Sequence, residues 1–385
     1  MSSVKPNPAM QAAAASFSSV IQKREDAFYE PRNQTYYRVS PDGNWTPATS
    51  DQAFSKDGSE SLLHPTKLRL ISWNIDVLVP FAEERMSAAL DHLHELVSST
   101  PPEIAIVMFL QEMGVSDMEQ IRDSAWVKQR FNLTDIDSHN WLSSGYGTTT
   151  LVDRRMHIDS VFRVPWYSKF GRDGLFVDIK LYNCLRADLP VKLLRLCNTH
   201  LESLVADPPV RPVQMAAAKR YLSHPDVESA ILAGDLNAIE PFDRSLHTDN
   251  ELEDMYLSIG GHANAPSDAT VFGNFIVYDD NNVPTNRNGP GEEDSDHGYT
   301  WGYQSPQAMR DRFGCSRMDK ILFRGWLGPC KFQRIGMGVK VAEEHGQMMK
   351  EAGELDWVSD HYGVMGDFLL TYRGHLTKYE PREQV

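Results

Sequence analysis

Residues 68–75 read LRLISWNI, and the interpretation of the whole chain begins from this stretch. Such a run of β-branched and other apolar residues is typical of a strand that is buried on both faces. Residues 81–99, FAEERMSAALDHLHELVSS, follow it with apolar side chains at helical spacing and acids in the first turn. A second apolar run, EIAIVMFLQE at 103–112, predicts another strand. A strand, a helix and a strand in this order predict a layered α/β arrangement.

The same pattern continues toward the C-terminus. Apolar runs that predict further strands are GTTTLVDRR (147–155), LFVDIKLY (175–182), VKLLRLCNTHL (191–201), SAILAGDLNA (229–238), MDKILFRG (318–325) and YGVMGDFLLTY (362–372). The first 65 residues differ, because they are rich in Ala, Ser, Pro, Asn and charge. We therefore expect a partly ordered N-terminal extension over 1–65, one folded domain over 66–373 and a tail over 374–385.

Composition and charge exclude several classes of protein. The 385 residues carry 53 acidic and 38 basic side chains, a net charge of −15, which argues against non-specific coating of nucleic acid or anionic membrane by the whole surface. The four cysteines lack CxxC spacing, so we expect reduced thiols. The N-terminus has no apolar signal region, and no run approaches the ~20 apolar residues of a membrane helix. We expect an intracellular monomer, in the nucleus, the cytoplasm or both, that does not bind membranes.

Polar side chains follow five of the predicted strands, at the point where each apolar run ends. These clusters are SWNID with Asn74 and Asp76, LQE with Glu112, NTHLES with His200 and Ser203, AGDLN with Asp235 and Asn237, and SDH with Asp360 and His361. A single Asp or Asn after a strand usually caps a turn. Five clusters in this position are hard to assign to turns, and strand ends at one edge of a sheet would place them around one cleft.

The sequence Ser-Asp-His occurs twice. Asp296 and His297 lie in a stretch dense in Asp, Asn, Gly and Pro, which predicts a solvated loop. Asp360 and His361 instead precede the apolar run at 362–372. Because a rigid strand can hold an imidazole at a fixed place, we expect the second pair to carry the chemistry and the first to be a bystander.

The acidic and amide groups suit a hard cation. Glu112 offers carboxylate oxygens, and Asn74 is expected beside it. Magnesium needs only one or two carboxylates from the protein and keeps several waters, and Mn²⁺ is a possible substitute. Cysteine is absent from the clusters, which disfavours zinc and softer metals.

The remaining groups suit a phosphate. His200 and His361 can donate to phosphate oxygens, and Asp235 can accept a proton from water. Asn237 can orient that water or stabilise the developing charge. A cation, imidazoles and amides around one anion indicate phosphoryl transfer, in which catalysis is mainly positioning and charge stabilisation.

Asp319, in RMDKILF, lies at the start of a predicted strand. It could accept the Nδ1 proton of His361 and so fix the tautomer and the charge of that ring. The alternative is a surface ion pair of Asp319 with Arg317 or Lys320.

The ordered clusters WNID, LQE, HLES, GDLN, RMDKILF and SDHYG resemble the endonuclease/exonuclease/phosphatase superfamily over about residues 67–372. SWNIDVL, FLQEM, THLES and SDHYGV are most similar to its 5′-tyrosyl-DNA phosphodiesterase branch. The resemblance implies a DNase I-like fold, a four-layer α/β sandwich of two mixed, mainly antiparallel sheets flanked by helices. It also implies a magnesium-dependent phosphodiesterase that hydrolyses its substrate by in-line attack of water. The implied substrate is DNA that carries a 5′ adduct, and the implied reaction is a step of DNA repair.

The resemblance also implies individual roles. Glu112 would be the principal magnesium ligand, with Asn74 and Asp360 nearby. Asp235 and Asn237 would position the attacking water, while His361 and His200 would hold the phosphate. Residues expected to contact the substrate are Ser203, Arg211 and Trp301.

One departure affects the substrate. GDLNA is followed by IEPFDR, where the tyrosyl branch has an Arg-Asp pair sooner. The alternatives are another nuclease of the superfamily, a deadenylase, or a lipid or inositol phosphate hydrolase. A non-catalytic binding module with the same fold is the alternative from a different class.

Overall fold

In the computed structural model, residues 28–48, 66–181, 191–260, 271–272, 275–276 and 291–370 are described. The strands within these ranges are β1 (Arg32–Gln34), β2 (Tyr36–Val39), β3 (Trp45–Ala48), β4 (Lys67–Asn74), β5 (Ile104–Met113), β6 (Phe131–Leu133), β7 (Gly147–Asp153), β8 (Ile158–Pro165), β9 (Asp173–Leu181), β10 (Lys192–His200), β11 (Val227–Asp235), β12 (Glu253–Asp254), β13 (Val271–Phe272), β14 (Phe275–Ile276), β15 (Asp319–Gly325), β16 (Leu327–Ile335) and β17 (Gly363–Leu370).

The helices of the described residues lie between these strands. They are α1 (Ala82–Ser98), α2 (Val115–Asp123), α3 (Ala125–Arg130), α4 (Arg211–Leu222), α5 (Leu246–Asp249), α6 (Met255–Ile259), α7 (Gln307–Phe313) and α8 (Glu343–Glu351), with a 3₁₀ turn at Pro241–Arg244. The apolar periodicity of residues 81–99 is confirmed as α1, which buries Met86, Leu90 and Leu93. None of the described helices is long and apolar enough to cross a membrane.

Two mixed sheets form the centre of the protein. One has the strand order β1-β8-β9-β10-β11-β15-β12, and the other β16-β17-β4-β5-β7-β6-β2-β3. Only β10–β11 and β4–β5 pair in parallel among the described ladders of these sheets. The expected α/β sandwich of two mixed, mainly antiparallel sheets is confirmed.

Successive side chains of β4 and β5 point to opposite faces of the sheet, and both faces are buried, which explains why both runs are apolar throughout. Leu68 and Leu70 pack between the two sheets, whereas Ile71 and Trp73 pack against the side of α1. On the other sheet, a third apolar cluster joins β9 and β11 to α4, with Met215 and Leu222 from the helix. The layers are therefore helix, sheet, sheet and helix, and each strand of the pair β4–β5 is covered on both faces.

The N-terminal segment contributes to both sheets. β1 pairs with β8 at the edge of one sheet, and the β2–β3 hairpin pairs with β6 at the edge of the other. The Gln34 side chain donates to the backbone carbonyl of Thr134 and accepts from Arg163. The sequence interpretation placed residues 1–65 outside the folded domain, but residues 28–48 are strands of it. The expected tail at 374–385 lies outside the described residues.

Gly234 is required where β10 and β11 run side by side below the polar strand ends. It has φ +147°, and a Cβ there would lie 1.8 Å from the carbonyl oxygen of Thr199. We expect Gly234→Ala to lower the free energy of unfolding by about 3 kcal/mol or more, because the two backbones must separate. Urea unfolding measures this.

Gly43→Ala is the matched control. Gly43 also has a positive φ, +84°, but nothing lies within 4 Å of its added Cβ. The free energy of unfolding of Gly43→Ala should fall by only roughly 1–2 kcal/mol, the energy of a left-handed backbone at a residue with a Cβ. Equal losses in the two variants would show that the close approach at Thr199 does not matter.

Candidate active site

The polar clusters meet at one edge of the sandwich. Because β4–β5 and β10–β11 are parallel pairs, Asn74 lies opposite Gln111, and His200 lies opposite Asp235. The antiparallel partner β15 places Asp319 opposite Asp235. The expected convergence of strand ends is therefore observed.

Asp235 is the centre of this group. Its Oδ2 lies 3.0 Å from Asn74 Nδ2, 3.2 Å from His200 Nε2 and 3.7 Å from His361 Nε2. Its Oδ1 accepts a hydrogen bond of 2.8 Å from the backbone N–H of Asn237. Burial alone would raise the pKa of the Asp235 carboxyl, but the two imidazoles and these hydrogen bonds hold it below its usual value. Asp235 is thus an ionised carboxylate with fixed orientation.

His361 is held between two carboxylates. Its Nδ1 lies 2.8 Å from Asp319 Oδ2, and its backbone N–H donates to Ser359 Oγ at 3.0 Å. Burial disfavours the imidazolium, but the charges of Asp319, Asp235 and Asp360 outweigh this and raise the pKa of His361 well above its usual value. The surface ion pair considered for Asp319 is not formed, since Arg317 and Lys320 bind Asp254 and Glu293 instead.

His200 is oriented by Arg172, a residue that the sequence interpretation missed. Arg172 NH1 donates to His200 Nδ1 at 2.7 Å, and NH2 donates to Ser203 Oγ at 2.7 Å. A guanidinium can only donate, so Nδ1 of His200 accepts and Nε2 carries the proton that faces Asp235. The rings of Tyr146 and Phe170 flank the guanidinium, with centroids 5.4 and 5.5 Å from its central carbon. No motif around Arg172 indicated this, because its partners come from distant strands.

Three carboxylates form an acidic group beside these imidazoles. Burial, followed by the charges of Asp360 and Glu112, raises the pKa of Asp76 well above its usual value. Glu112 Oε1 also lies 3.7 Å from His200 Nε2, and Asp360 Oδ2 accepts from the indole of Trp301 at 2.7 Å. Mutual repulsion of hard oxygen donors is what a divalent cation relieves, so Asp76, Glu112 and Asp360 are candidate ligands by their chemistry. Asp76 stands in the SWNID cluster, but the sequence interpretation gave it no role.

Asn74 lies in the site, between Asp235 and the backbone of Asp76. Its Oδ1 accepts from the backbone N–H of Asp76 at 2.9 Å, and its Nδ2 donates to Asp235. These contacts orient both Asn74 and Asp235, and the expected role of Asn74 as a metal ligand stays a prediction, because its Oδ1 keeps a second lone pair.

A second group of potential ligands consists of Asp235, Asp319 and His361, whose ligand atoms lie within 4.8 Å of one another. Here the two carboxylates face the two nitrogens of one imidazole, whose pKa is raised. A proton on His361 therefore already offsets the charge of the two carboxylates in this group.

Left-handed backbone conformations occur at several residues of the site. Asp76, Glu112 and Asn237 have φ values of 61°, 53° and 48°, and Leu204, next to Ser203, has 66°. Left-handed conformations of residues other than glycine are uncommon and cluster at functional sites. Glu112 also lies at a register shift between Leu110 and Met113 on β5, which turns its side chain toward the cleft edge.

Arg211, one of the expected substrate contacts, is held inside the protein. Arg211 is 2% exposed, and its guanidinium is held by Asp243, Glu240 and backbone carbonyls, so it does not fit a contact with DNA. Trp301 is 7% exposed and lies at the site, since its backbone bridges Ser316 and His361 and its indole donates to Asp360; its contact with a substrate stays a prediction. Ser203 lies at the site, where its Oγ accepts a hydrogen bond from Arg172.

The other Ser-Asp-His is separate from this group, as expected. Asp296 and His297 are exposed, and the carbonyl of Asp296 accepts from Arg334 NH1 at 2.9 Å. The structure describes this loop from residue 291 onward; its preceding part, 277–290, lies outside the described residues.

Comparison with known proteins gives a consistent result. The model of the Endonuclease/Exonuclease/phosphatase family matches residues 71–361. A comparison with curated proteins gave no match. The crystal structure of humanized D. rerio TDP2 with 14 mutations has a TM-score of 0.52 and 18% identity, covering 79% of this chain and 99% of that chain.

Two further solved structures are similar. Truncated Caenorhabditis elegans TDP2 has a TM-score of 0.53 and 18% identity, covering 79% of this chain and 97% of that one. D. rerio TDP2 complexed with a single strand DNA product has a TM-score of 0.52 and 17% identity, covering 78% and 98%. At these identities the similarity shows the shared fold alone.

Proposed function

This chain belongs to the Endonuclease/Exonuclease/phosphatase family, a family of hydrolytic nucleases and phosphatases, and we propose that it is a magnesium-dependent phosphodiesterase that removes a tyrosyl adduct from a 5′ DNA phosphate. The observation that carries the proposal is the pair of imidazoles on Asp235, with His200 Nε2 at 3.2 Å and His361 Nε2 at 3.7 Å. Two ring nitrogens beside one fixed carboxylate suit an anionic centre that is attacked by water.

The residues divide the reaction between them. The imidazolium of His361 donates to a phosphate oxygen and offsets the charge that develops in the transition state. The Nε2–H of His200, fixed by Arg172, can donate to a second phosphate oxygen. Asp235 orients the attacking water and accepts its proton, with Asn237 beside it. A cation held by Asp76, Glu112 and Asp360 would supply Lewis-acid stabilisation of the phosphate.

The leaving group favours a tyrosyl ester. A phenol has a pKa near ~10, so it departs as a phenolate with little help from a general acid. An alkoxide needs a proton donor or a well-placed metal.

A nucleic-acid strand is favoured by α7. This helix carries Met309, Arg310, Arg312 and Phe313, and it lies on the His361 side of the site, since the ring of Phe313 is 6.4 Å from that of Trp301. Arg312 stacks over Phe313 at 4.9 Å, and Met309 and Phe313 are exposed. The exposed Arg312 beside the exposed ring of Phe313 suits a phosphate and a stacked nucleobase.

Hydrolysis of p-nitrophenyl thymidine 5′-phosphate, assayed beside an abasic DNA duplex, tests the proposal. We expect Mg²⁺-dependent release of p-nitrophenolate, with Mn²⁺ able to replace Mg²⁺, and little cleavage of the duplex. Cleavage of the duplex alone would contradict the tyrosyl assignment and favour another nuclease of the family.

Asp319→Asn is expected to shift the pH dependence of the reaction. Asp319 raises the pKa of His361, and the imidazolium is the active form, so activity persists up to that raised pKa and falls above it. Loss of the Asp319 charge lowers the pKa of His361, which moves the alkaline limb of the kcat profile to lower pH. At neutral pH a larger fraction of His361 would then be uncharged and would no longer offset the charge of the transition state, so kcat should fall about 10²-fold. An unmoved alkaline limb would show that His361 does not titrate in the reaction.

A further inference from the structure

Five exposed apolar side chains are carried by segments at one side of the site. Tyr167, Leu204, Val205, Val213 and Ile239, which we call the apolar rim, are exposed by 45%, 58%, 71%, 49% and 38%. Leu204 follows Ser203 in the chain, and Ile239 lies two residues after Asn237. The rim therefore begins at residues of the catalytic group.

A buried ion pair fixes two of the rim segments. Arg211 NH1 donates to the backbone carbonyl of Leu204 at 2.8 Å, and its other nitrogens bind both carboxylate oxygens of Asp243. The same carboxylate accepts the backbone N–H of Ile239 at 3.0 Å. Arg211 and Asp243 are 2% and 3% exposed, so this contact is part of the protein interior.

Glu202, which is 1% exposed, joins the other segments. Its carboxylate accepts from the Oγ of Ser168, the residue after Tyr167, and from the backbone N–H of Lys169. Its own N–H donates to Gln214 Oε1 at 2.9 Å, and Gln214 Nε2 donates to the carbonyl of Tyr167 at 2.9 Å. Val213 is the residue before Gln214. Arg211 NH1 also donates to the carbonyl of Glu202, so all rim segments are tied to one buried network.

This network keeps apolar side chains exposed to water, which is energetically unfavourable. Leu204 has φ 66°, an uncommon conformation for a leucine, and the bond from Arg211 to its carbonyl maintains it. Exposed apolar groups that are gathered and rigidly supported mark a binding surface rather than random exposure.

The rim segments carry little exposed positive charge, with Lys169 exposed two residues after Tyr167, and this disfavours a nucleic-acid backbone there. Residues 201–210 contain no basic residue, and Asp207 lies among them. Arg211 is engaged by protein carboxylates, and Arg244 pairs with Asp294 at 2.7 Å. In the sheet, β10 and β15 flank β11, so the rim segment after β10 and the helix α7 before β15 lie on opposite sides of Asp235. The exposed Arg312 lies on the α7 side.

We propose that the apolar rim binds an apolar peptide segment attached to the scissile phosphate, while the nucleotide strand lies along α7. This assignment rests on the proposed function, because it presumes a substrate with a peptide on one side of the phosphate. Leu204 and Val205 would contact the apolar side chains of that peptide.

The test compares two DNA strands with 5′-phosphotyrosyl peptides of equal length. In one peptide the residues flanking tyrosine are Leu and Val, and in the other they are Ser and Gln. The double variant Leu204→Ser with Val205→Ser should raise KM for the apolar peptide about tenfold, because buried apolar contacts are lost, and leave KM for the polar peptide within about twofold. Its kcat on p-nitrophenyl thymidine 5′-phosphate should be unchanged.

Met348→Ser is the matched control, since Met348 is 54% exposed on α8, outside the rim. It should alter none of these values. Equal effects of the double variant on both peptides, or none, would overturn the proposal. A parent dimer that the double variant dissociates would also overturn it, because a second copy of the chain would then cover the rim.

A binding measurement separates failure of this inference from failure of the proposed function. If the parent hydrolyses neither adduct nor the p-nitrophenyl ester, the proposed function is wrong. Tighter binding of the free apolar peptide to the full-length parent than to the double variant would still support the rim. Hydrolysis of both adducts with no preference would leave the function standing and overturn the rim.

Discussion

His361→Ala is expected to lower kcat for p-nitrophenyl thymidine 5′-phosphate about 10³-fold, the loss that follows removal of one preorganised donor to the transition state. The imidazole is buried, its Nδ1 is 2.8 Å from Asp319, and its pKa is raised by the surrounding carboxylates. It therefore presents a positive charge without reorganisation at the moment of reaction. KM should change much less than kcat, because the charge it offsets develops in the transition state.

The chain contains its own control for this change. His297 stands in the other Ser-Asp-His, on the exposed loop, and His297→Ala removes the same side chain from the same local sequence. Its kcat should stay within about twofold of the parent value. A large loss in the His297 variant, or parent-like activity in the His361 variant, would show that the wrong pair has been assigned. Unchanged melting temperatures would exclude unfolding as the cause.

Glu112→Gln is expected to abolish the metal dependence, with kcat at saturating Mg²⁺ lower by about 10³-fold, since a Lewis acid contributes several kcal/mol. The parent should also gain stability from the ion, about 2.7 kcal/mol at a hundredfold excess over Kd. In the variant, the melting temperature should no longer respond to millimolar Mg²⁺.

The stability of the metal-free variant shows whether Glu112→Gln has removed a metal ligand or has damaged the structure. Glu112 and Asp360 raise the pKa of Asp76 through their charges, so the three carboxylates repel one another. Removal of the Glu112 charge should leave the metal-free variant at least as stable as the parent. Glu119→Gln, an exposed change on α2, is the control and should keep the Mg²⁺ response. A metal-free variant that is clearly less stable would contradict this account.

The strand ends were predictable from the sequence because apolar runs define strands and polar residues end them. Asp235 and His200 lie where β10 and β11 end together, and the parallel pairing of these strands needs no information beyond the order of elements. The choice between the two Ser-Asp-His sequences rested on the same physical reasoning, a rigid strand against a polar loop. Glu112 is at the cleft edge for the same reason.

Other features depend on tertiary contacts that no local pattern encodes. Arg172 meets His200 only after β9 and β10 pair, and nothing in its neighbouring residues marks it. Arg211 is a basic residue close to the site clusters in sequence, but in the structure its guanidinium forms an ion pair with the buried Asp243. Residues 28–48 are too short and too polar as strands to stand out from an extension, and they become strands because open sheet edges pair with them.

The most direct measurement is the anomalous density of Mn²⁺ in crystals that contain a short 5′-phosphorylated DNA strand. The account predicts one ion against Asp76, Glu112 and Asp360, with the 5′ phosphate between that ion and the imidazoles of His200 and His361. An ion between Asp235 and Asp319 in place of the His361 proton, or a phosphate bound away from both imidazoles, would contradict it.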